Sequence, residues 1–92
     1  MYLFSCTGVA KKQLDEVAIG ESMPFIVYIH YPDLFGAEHL CKLYLMQAGF
    51  HRIDIEKRQQ VPEEQCLAML DTDDDIKEAF KHGYCLRMFD AH

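Results

Sequence analysis

The chain has 92 residues, half of them hydrophobic, and a formal net charge of -6. That length holds one domain, the apolar and aromatic content excludes a disordered chain, and the acidic balance opposes nucleic-acid binding, which needs a basic stripe. The longest strongly apolar stretch, residues 24–31, is too short to span a bilayer, and the N-terminus lacks the basic and long apolar regions of a secretory signal, so the chain reads as cytoplasmic with no membrane partner.

Residues 1–6 are apolar and aromatic and read as a strand. Ser5-Cys6-Thr7-Gly8 then looks like a strand end and turn. Residues 9–20 place Val9, Leu14, Val17 and Ala18 near helical spacing, with Lys11, Lys12, Asp15 and Glu16 opposite them, and Gly20 as a stop. That pattern predicts a short amphipathic helix. Residues 24–31 are the clearest strand. Phe25, Val27, Ile29 and Tyr31 alternate with Ile26, Tyr28 and His30, so both faces are largely apolar and the strand belongs in the middle of a sheet. Pro32 ends it, because proline cannot donate to the ladder.

Residues 33–48 are the clearest helix. Asp33 suits the N-cap, Gly49 can take a left-handed ending, and Phe50 can fold back onto the helix. Its apolar set (Leu34, Ala37, Leu40, Cys41, Leu43, Tyr44, Leu45, Met46 and Ala48) is wide, and only Glu38, His39 and Lys42 make a clear polar stripe. A helix that merely covers a sheet needs about 100° of apolar arc. The surplus calls for a neighbouring helix or a partner.

Residues 51–59 alternate Ile53 and Ile55 with Arg52, Asp54, Glu56 and Arg58, the pattern of a half-buried strand with one wet face. Val61-Pro62-Glu63-Glu64 starts a helix with proline in its first position and acids at the positive end of the dipole. The run Asp71-Thr72-Asp73-Asp74-Asp75 interrupts it. A second short helix over 73–82 turns Ile76, Ala79 and Phe80 inward and stops at Gly83. Residues 84–89 form the last strand, with Tyr84, Leu86 and Met88 on one face, and 90–92 are a frayed tail.

Strand, helix, strand, helix, strand, helices, strand is the order that results, with every crossover long enough for parallel pairing. The expected class is α+β, a two-layer sandwich of three to four strands covered by helices. It would be ferredoxin-like or a related βαβ arrangement if 9–20 belongs to a hairpin. It would be a small three-layer α/β fold if that segment is a true crossover helix.

Chemistry-bearing motifs are sparse. The acidic run has acids at the first, third and fifth places of a calcium loop, but Ile76 stands where glycine is needed and His82 where a bidentate glutamate is needed. Helix capping by Thr72 or Asp73 accounts for the run better. The cysteines Cys6, Cys41, Cys66 and Cys85 are irregularly spaced, with no C-x-x-C, and read as free thiols without a zinc site or redox pair. His39 and Cys41 are two apart and face different ways on a helix. No cofactor and no metal are expected. Cys6 paired with His30 across adjacent strands is the one conceivable nucleophile arrangement, and no G-x-S-x-G or glycine-rich phosphate loop accompanies it.

With visible catalytic motifs missing and apolar helix surface in excess, the sequence points to a binding protein rather than an enzyme. The expectation is a small acidic protein-binding module, an inhibitor, immunity-type factor or regulatory subunit, that forms a homo-oligomer such as a homodimer or engages a protein with a basic surface. Tyr28, His30, Tyr44, Met46, Asp73, Asp74 and Asp75 are its candidate contacts. The alternative is a small-ligand or enzymatic α+β domain with a pocket near Tyr28, His30, Cys6 and His51.

Overall fold

The computed structural model describes residues 1–89. Its elements are β1 (Tyr2–Ala10), β2 (Ser22–Ile29), α1 (Leu34–Gln47), β3 (Phe50–Gln60), α2 (Glu63–Met69), α3 (Asp74–His82) and β4 (Tyr84–Met88). The strands form one sheet in the order β3-β1-β2-β4, and every neighbouring pair is antiparallel. The α+β class is therefore as expected, and the parallel pairing is not. β2 and β3 do run in the same direction, but β1 lies between them, and the long connection through α1 serves to step over that strand.

The helix expected over 9–20 is also absent. β1 continues through Val9 and Ala10, which pair with neighbouring strands. The chain then turns back into β2: Leu14 and Val17 form a bridge, and Ala10 N–H donates to the Glu21 carbonyl at 2.8 Å. The helical spacing of four apolar residues is a weak signal. It loses here to strand pairing on two sides, which gives the backbone a complete set of partners.

The other elements follow their local chemistry. Asp33 caps α1, its Oδ1 accepting from Gly36 N–H at 2.9 Å. Gly49 ends that helix at φ 101°, and a Cβ there would also lie 3.2 Å from both Leu14 methyls, so a side chain is excluded by conformation and by space. α2 starts one residue later than expected, with Pro62 in the capping position. The tail at 90–92 lies outside the described residues.

Alternation along the strands separates two apolar clusters. On one face Phe4, Cys6, Phe25, Val27 and Ile29 meet Ala37, Cys41 and Leu45 of α1. On the other, Leu3, Tyr28 and Cys85 meet Cys66 of α2 and Ile76, Ala79 and Phe80 of α3. Helices thus lie on both faces of the sheet, where a two-layer sandwich would place them on one. Among the described residues no helix is long and apolar enough to cross a membrane.

Much of the apolar surplus on α1 is absorbed within the chain. Leu40 packs against the core, and the Tyr44 ring stacks on Tyr84 with centroids 3.8 Å apart. Gly36 serves a similar purpose. The Tyr31 ring lies so close to α1 that a Cβ on Gly36 would overlap its Cε2. Alanine is intrinsically about 1 kcal/mol better than glycine inside a helix. Gly36→Ala alone is therefore expected to destabilise the fold in denaturant melts, by displacing Tyr31. In a Tyr31→Ala background the same substitution should stabilise it by up to about 1 kcal/mol. The same sign in both backgrounds would refute this packing.

Candidate functional site

The sheet face opposite α1 is only half covered. Register places its residues in rows. Cys85, Tyr28, Leu3 and Gln59 form the first, and Arg87, Ile26, Ser5 and Lys57 the second. Pro24, Thr7 and Asp54 form the third, and Ser22, Val9 and His51 the fourth. The second cluster covers the first row only. Ser5, Thr7, Val9, Pro24 and Ile26 belong to neither cluster and stay half-buried. A shallow depression of about 200 Å³ lies on this open part, lined by Leu3, Ser5, Ile26, Lys57 and Gln59 among others.

Two bulges in the β1–β3 pairing decide which charges border it. The register shifts between Ser5 and Cys6 and again between Thr7 and Val9. Arg52, at φ 51°, sits in the second of these. The four charges expected on one wet face are therefore split. Asp54 shares the open face with Lys57. Arg58 points to the helix side, where it pairs with Glu38 of α1. Nor do these charges lie beside Tyr28, because β1 intervenes.

At the covered end α3 brings acids to the border. Asp73 caps α3, its Oδ1 accepting from Asp75 N–H at 3.0 Å and Ile76 N–H at 3.2 Å. Capping thus accounts for Asp73 at the centre of the acidic run, and no group of metal-ligating residues is found among the described residues. Asp73→Ala should cost about 0.5–2 kcal/mol, visible as a lower urea midpoint, whereas Asp74→Ala, one position on and exposed, should be close to neutral.

Asp75 is half-buried and binds Arg87 Nη1 at 2.6 Å, and the Cys85 thiol points at its Oδ1 from 3.7 Å. Burial, with the Asp75 charge and hydrogen bond behind it, pushes the Cys85 thiol up to about 11. Burial, then the charges of Asp73 and Asp75, also raises the Tyr28 phenol. The Arg87 guanidinium is raised by its hydrogen bond to Asp75 and lies 5.6 Å from the Phe89 ring centroid. Asp73, Asp75, Tyr28, Cys85 and Arg87 are one connected group at the margin of the open face.

The remaining candidate contacts fall elsewhere. His30 is exposed beyond the end of β2, its ring 4.5 Å from Phe80. Tyr44 and Met46 are on α1, on the far side of the sheet; Tyr44 is half-buried under Tyr84, and Met46 is exposed. Cys6 does not converge with Tyr28 and His30. It points to the α1 face, in the same buried cluster as Cys41, and the neighbouring Cys6 thiol, then burial, raises the Cys41 thiol far above the ordinary range. His51 lies at the opposite end of the sheet from His30. The pocket expected around Tyr28, His30, Cys6 and His51 is therefore not assembled. All four cysteines are unbridged.

Sequence reasoning missed Ser5, Thr7 and Ile26 as a surface, because strand order is needed to align them. It also missed Phe35, 84% exposed on α1. Its signal was present: Phe35 stands three, four and seven residues before Glu38, His39 and Lys42, on the same polar stripe. Comparison with protein-family models, curated proteins and solved structures finds no match.

Proposed function

We propose that this chain is a small protein-binding module that docks a basic protein on the open rows of its sheet, with the acids of α3 steering the approach. The observation that carries this reading is the continuous strip from Ser5 and Ile26 through Thr7 to Val9, which no helix covers among the described residues. Such a strip presents apolar and hydroxyl groups at the centre and charges at the rim, the usual anatomy of a recognition patch. The exposed apolar residues of α1, in contrast, are interrupted by Glu38, His39 and Lys42, and isolated exposed hydrophobics are ordinary. In this reading Tyr28, Asp73, Asp74 and Asp75 act at the border of the docking face. Exposed acids accelerate association with a basic partner, and salt weakens that effect. In fold terms, β2–α1–β3, two like-directed strands split by β1 and bridged by a helix, is the ferredoxin-like element, with α2 and α3 added behind it.

The test is affinity capture of wild-type chain and of Ser5→Arg from native lysate, at low and high salt, with the mass of each eluted complex measured by light scattering. Arginine at position 5 fills the shallow depression from a half-buried position that belongs to neither core cluster. Wild type should retain a stoichiometric basic protein at low salt, and Ser5→Arg should lose it. A complex containing only a second copy of the chain would make the occupant a homodimer partner; equal retention by the variant would defeat the proposed face.

A further inference from the structure

A second concavity, of about 410 Å³, opens where β1 begins and β2 and β3 end. Its lining includes three aromatic residues, Tyr2, Tyr31 and Phe80, together with His30, Gln60 and Glu63. Among the described residues no lysine or arginine lines it; Met1 and Val61 do, and the Met1 amino group, the formal cation of this lining, is engaged by the Val61 carbonyl at 3.4 Å, with the Glu63 carboxylate to balance it. Two of its walls are set by packing. Phe80 and His30 hold each other at a 4.5 Å centroid separation, and Tyr31 rests on the bare Cα of Gly36. Ring faces carry negative quadrupole density, and a carboxylate beside them adds formal charge, so the recess is complementary to a cation with an apolar stem. The chain as a whole, at -6, favours the same ligand sign.

We propose that this cleft takes the cationic end of a side chain, a guanidinium or alkylammonium, presented by the basic partner. The assignment of ligand class rests on the reading of the chain as a binder of a basic protein, and it adds a defined anchor outside the open sheet rows. A cationic anchor at a second point, beyond the covered first row of the sheet, supplies specificity that a steered, mixed-charge face lacks.

The experiment needs no partner. The full chain at pH 8 is titrated with N-acetyl-arginine methylamide, and separately with the neutral isostere N-acetyl-citrulline methylamide, while the aromatic side-chain NMR signals are followed. The arginine compound should give saturable shifts at Tyr2, His30, Tyr31 and Phe80, and the citrulline compound should bind about tenfold more weakly or not at all. Tyr31→Ala and Glu63→Gln should each weaken arginine binding severalfold while Phe4 and Val27 signals remain native. Equal binding of both compounds, shifts located elsewhere, or no shifts would overturn the assignment. Failure here leaves the sheet-face docking untouched, and failure of the capture experiment leaves a positive titration standing, so the two readings fail separately.

Discussion

Phe4→Ala is expected to destabilise the chain by about 3–5 kcal/mol, the usual cost of emptying a phenylalanine site in a core. Phe4 is completely buried. It stands opposite Val27 in the hairpin and belongs to the cluster that α1 closes. Arg58, its cross-strand neighbour on β3, is held by Glu38 of α1, and the surrounding residues are fixed on strands and a helix, so the vacated volume collapses poorly. A domain of this length holds about 5–14 kcal/mol in total, so the loss is a large share of it. The thermal midpoint should fall by at least about 12 °C. Phe35→Ala is the control, with the same atoms removed from a site that is 84% exposed. It should move stability by no more than about 0.5 kcal/mol. Comparable losses for the two variants would contradict the packing of α1.

Cys85 should be slow to alkylate in the native chain, through burial first and the Asp75 carboxylate second. An ordinary thiol at 9.0 is about a tenth ionised at pH 8, whereas one at about 11 is ionised about a hundredfold less. Iodoacetamide labelling of native Cys85 at pH 8 should be slower than that of a free thiol by a factor approaching this. Asp75→Asn removes the nearest negative charge and should speed the reaction severalfold. Arg87, exposed, loses an ion pair but remains solvated, so the fold should survive. Linkage has a definite sign. The folded thiol sits above its unfolded value, so its contribution to stability is complete below pH 9 and is lost as pH rises through about 11. The raised Tyr28 phenol, displaced upward from 10.0, extends that loss further into alkali. Denaturant midpoints measured from pH 8 upward should therefore fall more steeply for wild type than for Asp75→Asn. Unchanged labelling in the variant would mean that Asp75 does not govern this thiol.

Local chemistry makes most of this fold legible. Asp33 and Asp73 announce two helix starts, Gly49 and Gly83 two ends, and the alternation from Phe25 to Ile29 a central strand; all of these are interactions within a few residues. What stays hidden depends on pairing between distant segments. Val9 and Ala10 look helical until β3 is placed beside them. The charges from Arg52 to Arg58 look like one face until bulges opposite Ser5 and Gly8 redistribute them. Helices on opposite faces follow from which side of the sheet Leu3 and Tyr28 present, and no local period encodes that choice. The candidate site is less legible still. Asp73 and Asp75 stand out in the sequence as contacts, yet one is a cap and the other holds Arg87. Ser5, Thr7 and Ile26 are inconspicuous in sequence and become a surface only through strand order.

The docking face is best tested by an amide chemical-shift map of the isotopically labelled chain with and without its captured partner. Docking on the open sheet rows predicts changes at Ser5, Thr7, Ile26, Lys57 and Asp74, with α1 undisturbed. Changes concentrated at Phe35, Lys42 and Met46 would place the interface on α1 and contradict it.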